Sequence, residues 1–321
     1  MSTVLLTRTD VEDLLDTTAL VEELRAGFVA YSATRAGRAA RVRSSLPHGD
    51  GTATVLFPGT APHLSAYTVK VHAKFPAETP AIRGVLCLHD IHTGALLAVM
   101  DSTHLTAART GVAGALAADV LARRDADSVA VVGAGVQGTF QLRALARMRT
   151  VRQAWVYDIV PDRAAAFARG MSTELAIPVR AANSVADAVR HSLIVLTATW
   201  AKAPFIERDM LLPGSHVTTL GPDEPGKAEV SADVIRAGLF VCDDRELAAE
   251  LGALRGVGLG AEAVAAELGD VLAGGHPGRT TADQITVYGG VGLAFQDAVA
   301  AFQVYEKARE RGRGQRLDFL A

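Results

Sequence analysis

A chain of 321 residues, 49% hydrophobic and 21% charged, has an ordinary globular composition and the length of two domains, which excludes a largely disordered protein. Its formal net charge of -3 and pI near 6.3 supply no basic footprint for nucleic acid. No apolar run approaches the ~20 residues that cross a bilayer, and the start MSTVLLTRTDVEDLL lacks the basic lead-in and apolar core of a signal peptide, so a cytoplasmic protein is expected.

Two amphipathic helices come first. Thr9-x-x-Glu12 reads as a capping box ahead of Val11, Leu14 and Leu15. The longer second helix carries Leu20, Leu24, Phe28 and Tyr31 on one face, with Gly37 as its stop. Between positions 41 and 100 short alternating runs at 53–57, 66–75, 84–89 and 95–100, separated by Pro, Gly and Asp, predict an antiparallel sheet. A helix rich in Ala and Gly follows over 103–123. Apolar runs at 128–132, 154–157, 193–198, 216–220 and 239–242 then alternate with helical stretches, which predicts a parallel, doubly wound sheet. A sixth run at 285–288 fits the same sheet, and a last helix covers 293–311. Cys87 and Cys242 lie far apart in apolar stretches without metal or redox spacing and read as reduced core residues. His89-x-x-His92 sits in a turn with no third ligand nearby, so no metal is expected.

The run SVAVV at 128–132 leads straight into Gly133-Ala-Gly135-Val-Gln-Gly138 and a helix. Gly133 permits the tight turn, Gly135 lets backbone approach a pyrophosphate, and Gly138 lets the helix pack on the strand. The helix N-terminus offers N–H groups to the phosphates. The next strand ends in Asp158, 25 positions after Gly133. A carboxylate there accepts from ribose hydroxyls and repels the extra phosphate of NADP, so NAD is expected, with Arg163 acting against that preference.

Arg109 lies in a helix of small apolar residues, and its guanidinium must find an anion or reach water. A substrate carboxylate and a structural partner both meet that need. Lys70 shares one face of its strand with His72 and Lys74, a face that is either solvated or lines a cleft. Asp223, in LGPDEPGKAE, follows a strand of the parallel sheet, where ligands bind in such folds. Turn chemistry explains it equally well.

Together MDSTHLTAARTGVAGALAA at 100–118, VVGAGVQG at 131–138, LGPDEPGKAE at 220–229 and ITVYGGVGLAFQD at 285–297 resemble the ornithine cyclodeaminase/mu-crystallin family across nearly the whole chain. The resemblance implies an α/β protein: a Rossmann doubly wound sheet over 125–292, and an α+β substrate-binding and dimerisation domain over 1–124 with 293–321. It implies that Arg43, Lys70 and Arg109 hold a substrate carboxylate, with Arg41 a competing counterpart for Arg43. Asp223 matches the family's acid/base, with Lys70 the other catalytic residue, and Gly135, Val136, Gln137, Asp158 and Thr199 match dinucleotide contacts. Two departures stand out. The family's cyclodeaminases carry a glutamate where this chain aligns Val55, which argues against ornithine as substrate and hints, with Phe57, at an apolar pocket. YGGVG at 288–292 lacks the Lys or Ser often found before the glycine.

The expected protein is thus a homodimeric NAD-dependent dehydrogenase or ketimine reductase of small amino or imino acids. A cyclodeaminase that recycles its NAD and a mu-crystallin-like binding protein are the alternatives.

Overall fold

A computed structural model describes residues 2–34, 40–46, 51–319 and 321. In chain order the first elements are β1 (Thr3–Leu6), α1 (Arg8–Leu14), α2 (Thr17–Thr34), β2 (Ala40–Ser45), β3 (Thr52–Gly59), β4 (Ala66–Lys74), β5 (Ile82–Asp90), β6 (Leu96–Asp101) and α3 (Ser102–Leu121). Then come β7 (Ser128–Val132), α4 (Val136–Met148), β8 (Gln153–Tyr157), α5 (Pro161–Leu175), β9 (Val179–Ala181), α6 (Val185–Val189), β10 (Ile194–Thr197), β11 (His216–Thr219), α7 (Ala232–Ala237) and β12 (Leu239–Cys242). The chain closes with α8 (Arg245–Glu250), α9 (Ala253–Gly256), β13 (Ala266–Glu267), α10 (Leu268–Leu272), β14 (Thr286–Gly289), α11 (Ala294–Arg311) and β15 (Gln315–Leu317). Two compact units result: Met1–Arg109 with Leu293–Ala321, and Thr110–Gly292.

The first unit is built on a seven-stranded sheet in the order β15-β1-β6-β5-β4-β3-β2. Every neighbouring pair is antiparallel except β1 with β6, which run parallel. Helix α11 packs on β3, β4 and β5, over Leu56, Leu86 and Leu88, all buried. The opposite sheet face is apolar and open. Val42, Val55, Val71 and Val85 pair in one row across four strands, and Val42, Val71 and Val85 are 59%, 44% and 46% exposed.

Several expectations need correction. The capping box is formed by Thr7 and Asp10, which exchange hydrogen bonds around the start of α1, rather than by Thr9 and Glu12. Cys87 shares the open face with Val85 and is half-buried, so it is not a core residue; Cys242 is buried, and both thiols are free. The short strands β1, β2 and β15 were not foreseen, and the sheet is not wholly antiparallel. Gly37 lies outside the described residues.

The second unit carries an eight-stranded, wholly parallel sheet, ordered β13-β12-β14-β11-β10-β7-β8-β9. Strands β7, β10, β11 and β14 are buried along their whole length, as central parallel strands must be. Val195, Val217, Phe240 and Val287 fill the core beside them. From β7 the chain builds outward through β8 and β9, then returns to β10 on the other side. The loops after β7 and β10 therefore lie side by side at a topological switch point, where α/β sheets bind ligands.

Candidate active site

In the first unit two cations converge on one carboxylate. Lys70, from the middle of β4, is 2% exposed, and its Nζ donates to Asp297 Oδ2 at 2.8 Å and to Thr106 Oγ1 at 3.4 Å. Arg109, on α3, donates from Nε to Asp297 Oδ1 at 3.0 Å and from Nη1 to Gln296 Oε1 at 2.7 Å. Asp297 lies in the first turn of α11, where the positive end of the helix dipole favours an anion. Arg109 and Lys70 hold its carboxyl below the usual range against the opposing effect of burial. Burial draws the Lys70 ammonium down to about 8, although Asp297 pulls the other way. Three of the five guanidinium N–H donors and one ammonium proton have no acceptor among the described residues.

The Lys70 face of β4 is therefore not a solvated one, since Lys74 is buried as well. His72 shares that face. Its Nδ1 is buried without a hydrogen-bond partner, and burial together with Lys70 and Lys74 pushes its pKa down to about 3, so the ring is neutral. Sheet register places the remaining candidates. Arg41 pairs with Leu56, and Leu56 with Lys70, so all three share a row, whereas Arg43 lies in the next row with Thr54 and His72. Arg41 is half-buried and its charge acts on Lys70, while Arg43 is exposed. Val55 and Phe57 belong to the opposite face and cannot line a pocket with Lys70. Thr54 and Leu56 occupy β3 on the Lys70 side, and neither is a carboxylate.

In the second unit Gly133 has φ of 104°, and a Cβ on it would lie 2.6 Å from the carbonyl oxygen of Ala198. A Cβ on Gly138 would lie 2.3 Å from the Gly133 oxygen. Gly135 is different: nothing lies within 4 Å of where its Cβ would be. It is the N-cap of α4 and supplies no side-chain cap, so the first-turn N–H groups face an open cradle. The helix starts at Val136, so Gln137 and Gly138 lie inside this turn. Asp158, just past β8, accepts from the Ala134 and Val160 N–H groups at 2.9 Å each. Each oxygen keeps a further lone pair. These features fit the diphosphate and ribose of a dinucleotide.

After β11, Asp223 Oδ1 accepts from Lys227 Nζ at 2.9 Å, and Lys227 also reaches Glu224 at 3.0 Å and lies 4.2 Å from the Trp200 ring centre. Asp223 is partly exposed. Behind this loop is Glu229, 1% exposed, whose carboxylate accepts from Thr197, Thr199, Thr219 and Gly221. Asp243 accepts from the Val291 and Gly292 N–H groups at 2.9 and 2.6 Å, which fixes the YGGVG turn. Among the described residues no group of three or more His, Cys, Asp or Glu could hold a metal, and no helix is long and apolar enough to cross a membrane.

Sequence reasoning missed Asp297, Gln296 and Glu229, although each lies in or beside a quoted motif. An acid inside the apolar run YGGVGLAFQD, and another after a strand-loop-lysine, were the available signals.

A model of the ornithine cyclodeaminase/mu-crystallin family matches residues 1–312. The alanine dehydrogenase of Archaeoglobus fulgidus is 30% identical over 335 positions, spanning 100% of this chain and 99% of that protein. Among solved structures, an archaeal alanine dehydrogenase dimer with bound NAD superposes with a TM-score of 0.92 at 29% identity, covering 100% of both chains. The Delta(1)-pyrroline-2-carboxylate reductase of Thermococcus litoralis, in complex with NADH and L-proline, also gives a TM-score of 0.92, at 30% identity over 98% of this chain and 100% of that one. The chain belongs to the ornithine cyclodeaminase/mu-crystallin family.

Proposed function

We infer that the protein is an NAD-dependent oxidoreductase of a small α-amino or α-imino acid. The observation that carries this reading is the pair of buried cations, Lys70 and Arg109, which share Asp297 and keep N–H donors for a second carboxylate. A guanidinium with a free edge takes a carboxylate in a charge-assisted, oriented pair. Register supports Arg41 over Arg43 as the third cation, since it shares the row of Lys70. Gly133, Gly135, Val136, Gln137, Gly138, Asp158 and Thr199 would hold the dinucleotide. The NAD of the archaeal relative and the NADH of the reductase support that identity. A dinucleotide held by these residues would supply hydride chemistry to the substrate.

The chain's own groups do the rest. Lys70 and Arg109 fix the carboxylate, and hence the α-carbon beside it. Asp223 takes or returns the proton of the amine, or of the water that adds to an imine. Lys227, held between Asp223 and Glu224, keeps the Asp223 carboxyl in place. The absence of an acid from the Lys70 side of β3 weighs against a diamino acid and so against the cyclodeaminase reading.

The test supplies a panel of small 2-oxo acids with ammonia or methylamine and follows NADH and NADPH oxidation. Consumption of NADH that Asp223→Asn abolishes is the expected result. Ammonia release from ornithine or lysine without net NADH change would instead support the lyase, and tight NADH binding without turnover a binding protein.

The open row Val42, Val55, Val71 and Val85 supports a homodimer built on this sheet face, because exposed apolar patches of this kind mark partner surfaces. Val71→Asp should then yield monomers in analytical ultracentrifugation; an unchanged mass rejects that face. Two free thiols support a reducing, cytoplasmic setting.

A further inference from the structure

Glu229 is a buried carboxylate of the second unit that accepts five hydrogen bonds. Its Oε1 accepts from the Thr199 N–H at 2.5 Å and the Thr199 hydroxyl at 2.7 Å. Its Oε2 accepts from the Thr197 hydroxyl at 2.6 Å, the Thr219 hydroxyl at 2.7 Å and the Gly221 N–H at 3.1 Å. Thr197 ends β10 and Thr219 ends β11, so one side chain ties together the carboxyl ends of two neighbouring strands and the first residues of the loops beyond them. Gly221 is shaped to this carboxylate: a Cβ there would lie 2.3 Å from Glu229 Oε1. No cation among the described residues pairs with Glu229, and five donors fill the roughly four lone-pair directions that a carboxylate offers.

We propose that Glu229 is a positioning residue, which sets Thr199 for the dinucleotide and the Gly221–Asp223 loop for proton transfer as a single unit. The assignment rests on the proposed roles of Thr199 and Asp223. Donors on both oxygens explain why a carboxylate is needed here and an amide will not serve. Whichever way a glutamine amide is turned, its NH2 meets a backbone N–H, that of Thr199 or that of Gly221. Hydroxyls can rotate away from such a clash, but backbone N–H groups cannot. One of the two loops must therefore move.

The experiment compares Glu229→Gln, Thr199→Ala and their combination in the full-length protein, with NADH affinity read from its fluorescence and kcat and KM measured against pH. Glu229→Gln should raise the NADH dissociation constant at least tenfold and change the pH dependence of kcat. The amino-acid KM, set by Lys70 and Arg109, should change less than twofold. Added to Thr199→Ala, it should weaken NADH binding by far less than it does alone. Should Glu229→Gln fail to fold, Thr219→Val removes one hydroxyl donor and should weaken NADH binding two- to fivefold. If Thr199→Ala weakens NADH binding while neither Glu229→Gln nor Thr219→Val does, or if only the melting temperature falls, the positioning role is overturned. If Thr199→Ala itself leaves NADH affinity unchanged, the cofactor role of Thr199 is overturned instead.

Discussion

Asp297 and Glu229 are both buried carboxylates, each 1% exposed, and their charge is balanced by different means. Asp297 sits against two full cations, and both keep donors in reserve. Glu229 sits among hydroxyls and backbone amides that donate to it. The first arrangement can admit another anion, because Lys70 and Arg109 can serve two carboxylates at once. The second cannot take up anything further, and its use is rigidity. On the proposed reading, ligand capture and loop alignment fall to different kinds of buried acid.

The comparison can be broken most forcibly at Asp297. Asp297→Asn leaves two buried cations without a counter-ion and should lower stability by about 3–5 kcal/mol, the cost of breaking a buried pair. Urea unfolding measures it, and a loss below about 1 kcal/mol would mean that the cations are solvated after all. Arg109→Lys keeps the charge but loses the fork. It should reduce kcat/KM for the amino acid roughly 10–100-fold, the equivalent of ~1.5–3 kcal/mol for a charge-assisted hydrogen bond. NADH affinity should stay as it was, and a parallel loss of cofactor binding would contradict the division of labour between the two units.

A third probe uses pH. The Lys70 ammonium loses its proton as pH rises through about 8, and with it the attraction for a carboxylate. kcat/KM should therefore hold steady below that value and fall above it, by up to about tenfold per unit. Lys70→Arg should remove the limb, and a limb that survives belongs to another group. The smallest effect is expected at Asp158, whose carboxylate is held by two amides as Glu229 is by its donors, but with lone pairs to spare. Asp158→Ala should lower the preference for NADH over NADPH about fivefold, or ~1 kcal/mol. An unchanged ratio would mean that Asp158 does not read the ribose.

How much of this could be read in advance follows from how local each feature is. The glycine loop was legible because the strand, the three glycines and the start of the helix follow one another without a break, and Asp158 closes the pattern within 25 positions. The strict alternation of apolar strands and helices likewise declared the parallel sheet. The substrate cluster was only half legible: Lys70 and Arg109 stood out as cations in apolar surroundings, but Asp297 is 227 positions from Lys70, beyond the reach of any window. Val55 and Phe57 failed for a simpler reason. A strand changes face with every residue, so an alignment slip of one position sends a side chain to the wrong side of the sheet. Strand β2, written ARVRSS and largely exposed, alternates only over Ala40–Arg43, too short a run to stand out.

The cluster around Asp297 also bears on the order in which the protein can be made. The second unit is one continuous stretch, Thr110–Gly292, whereas the first is interrupted and needs Leu293–Ala321 for α11, for β15 beside β1, and for the anion that Lys70 and Arg109 share. Synthesis from the N-terminus delivers every residue of the second unit before the first unit has its last helix. Until then Lys70 and Arg109 lack the carboxylate of Asp297, so the ion pairs that join β4 and α3 to α11 form only once the end of the chain has been made.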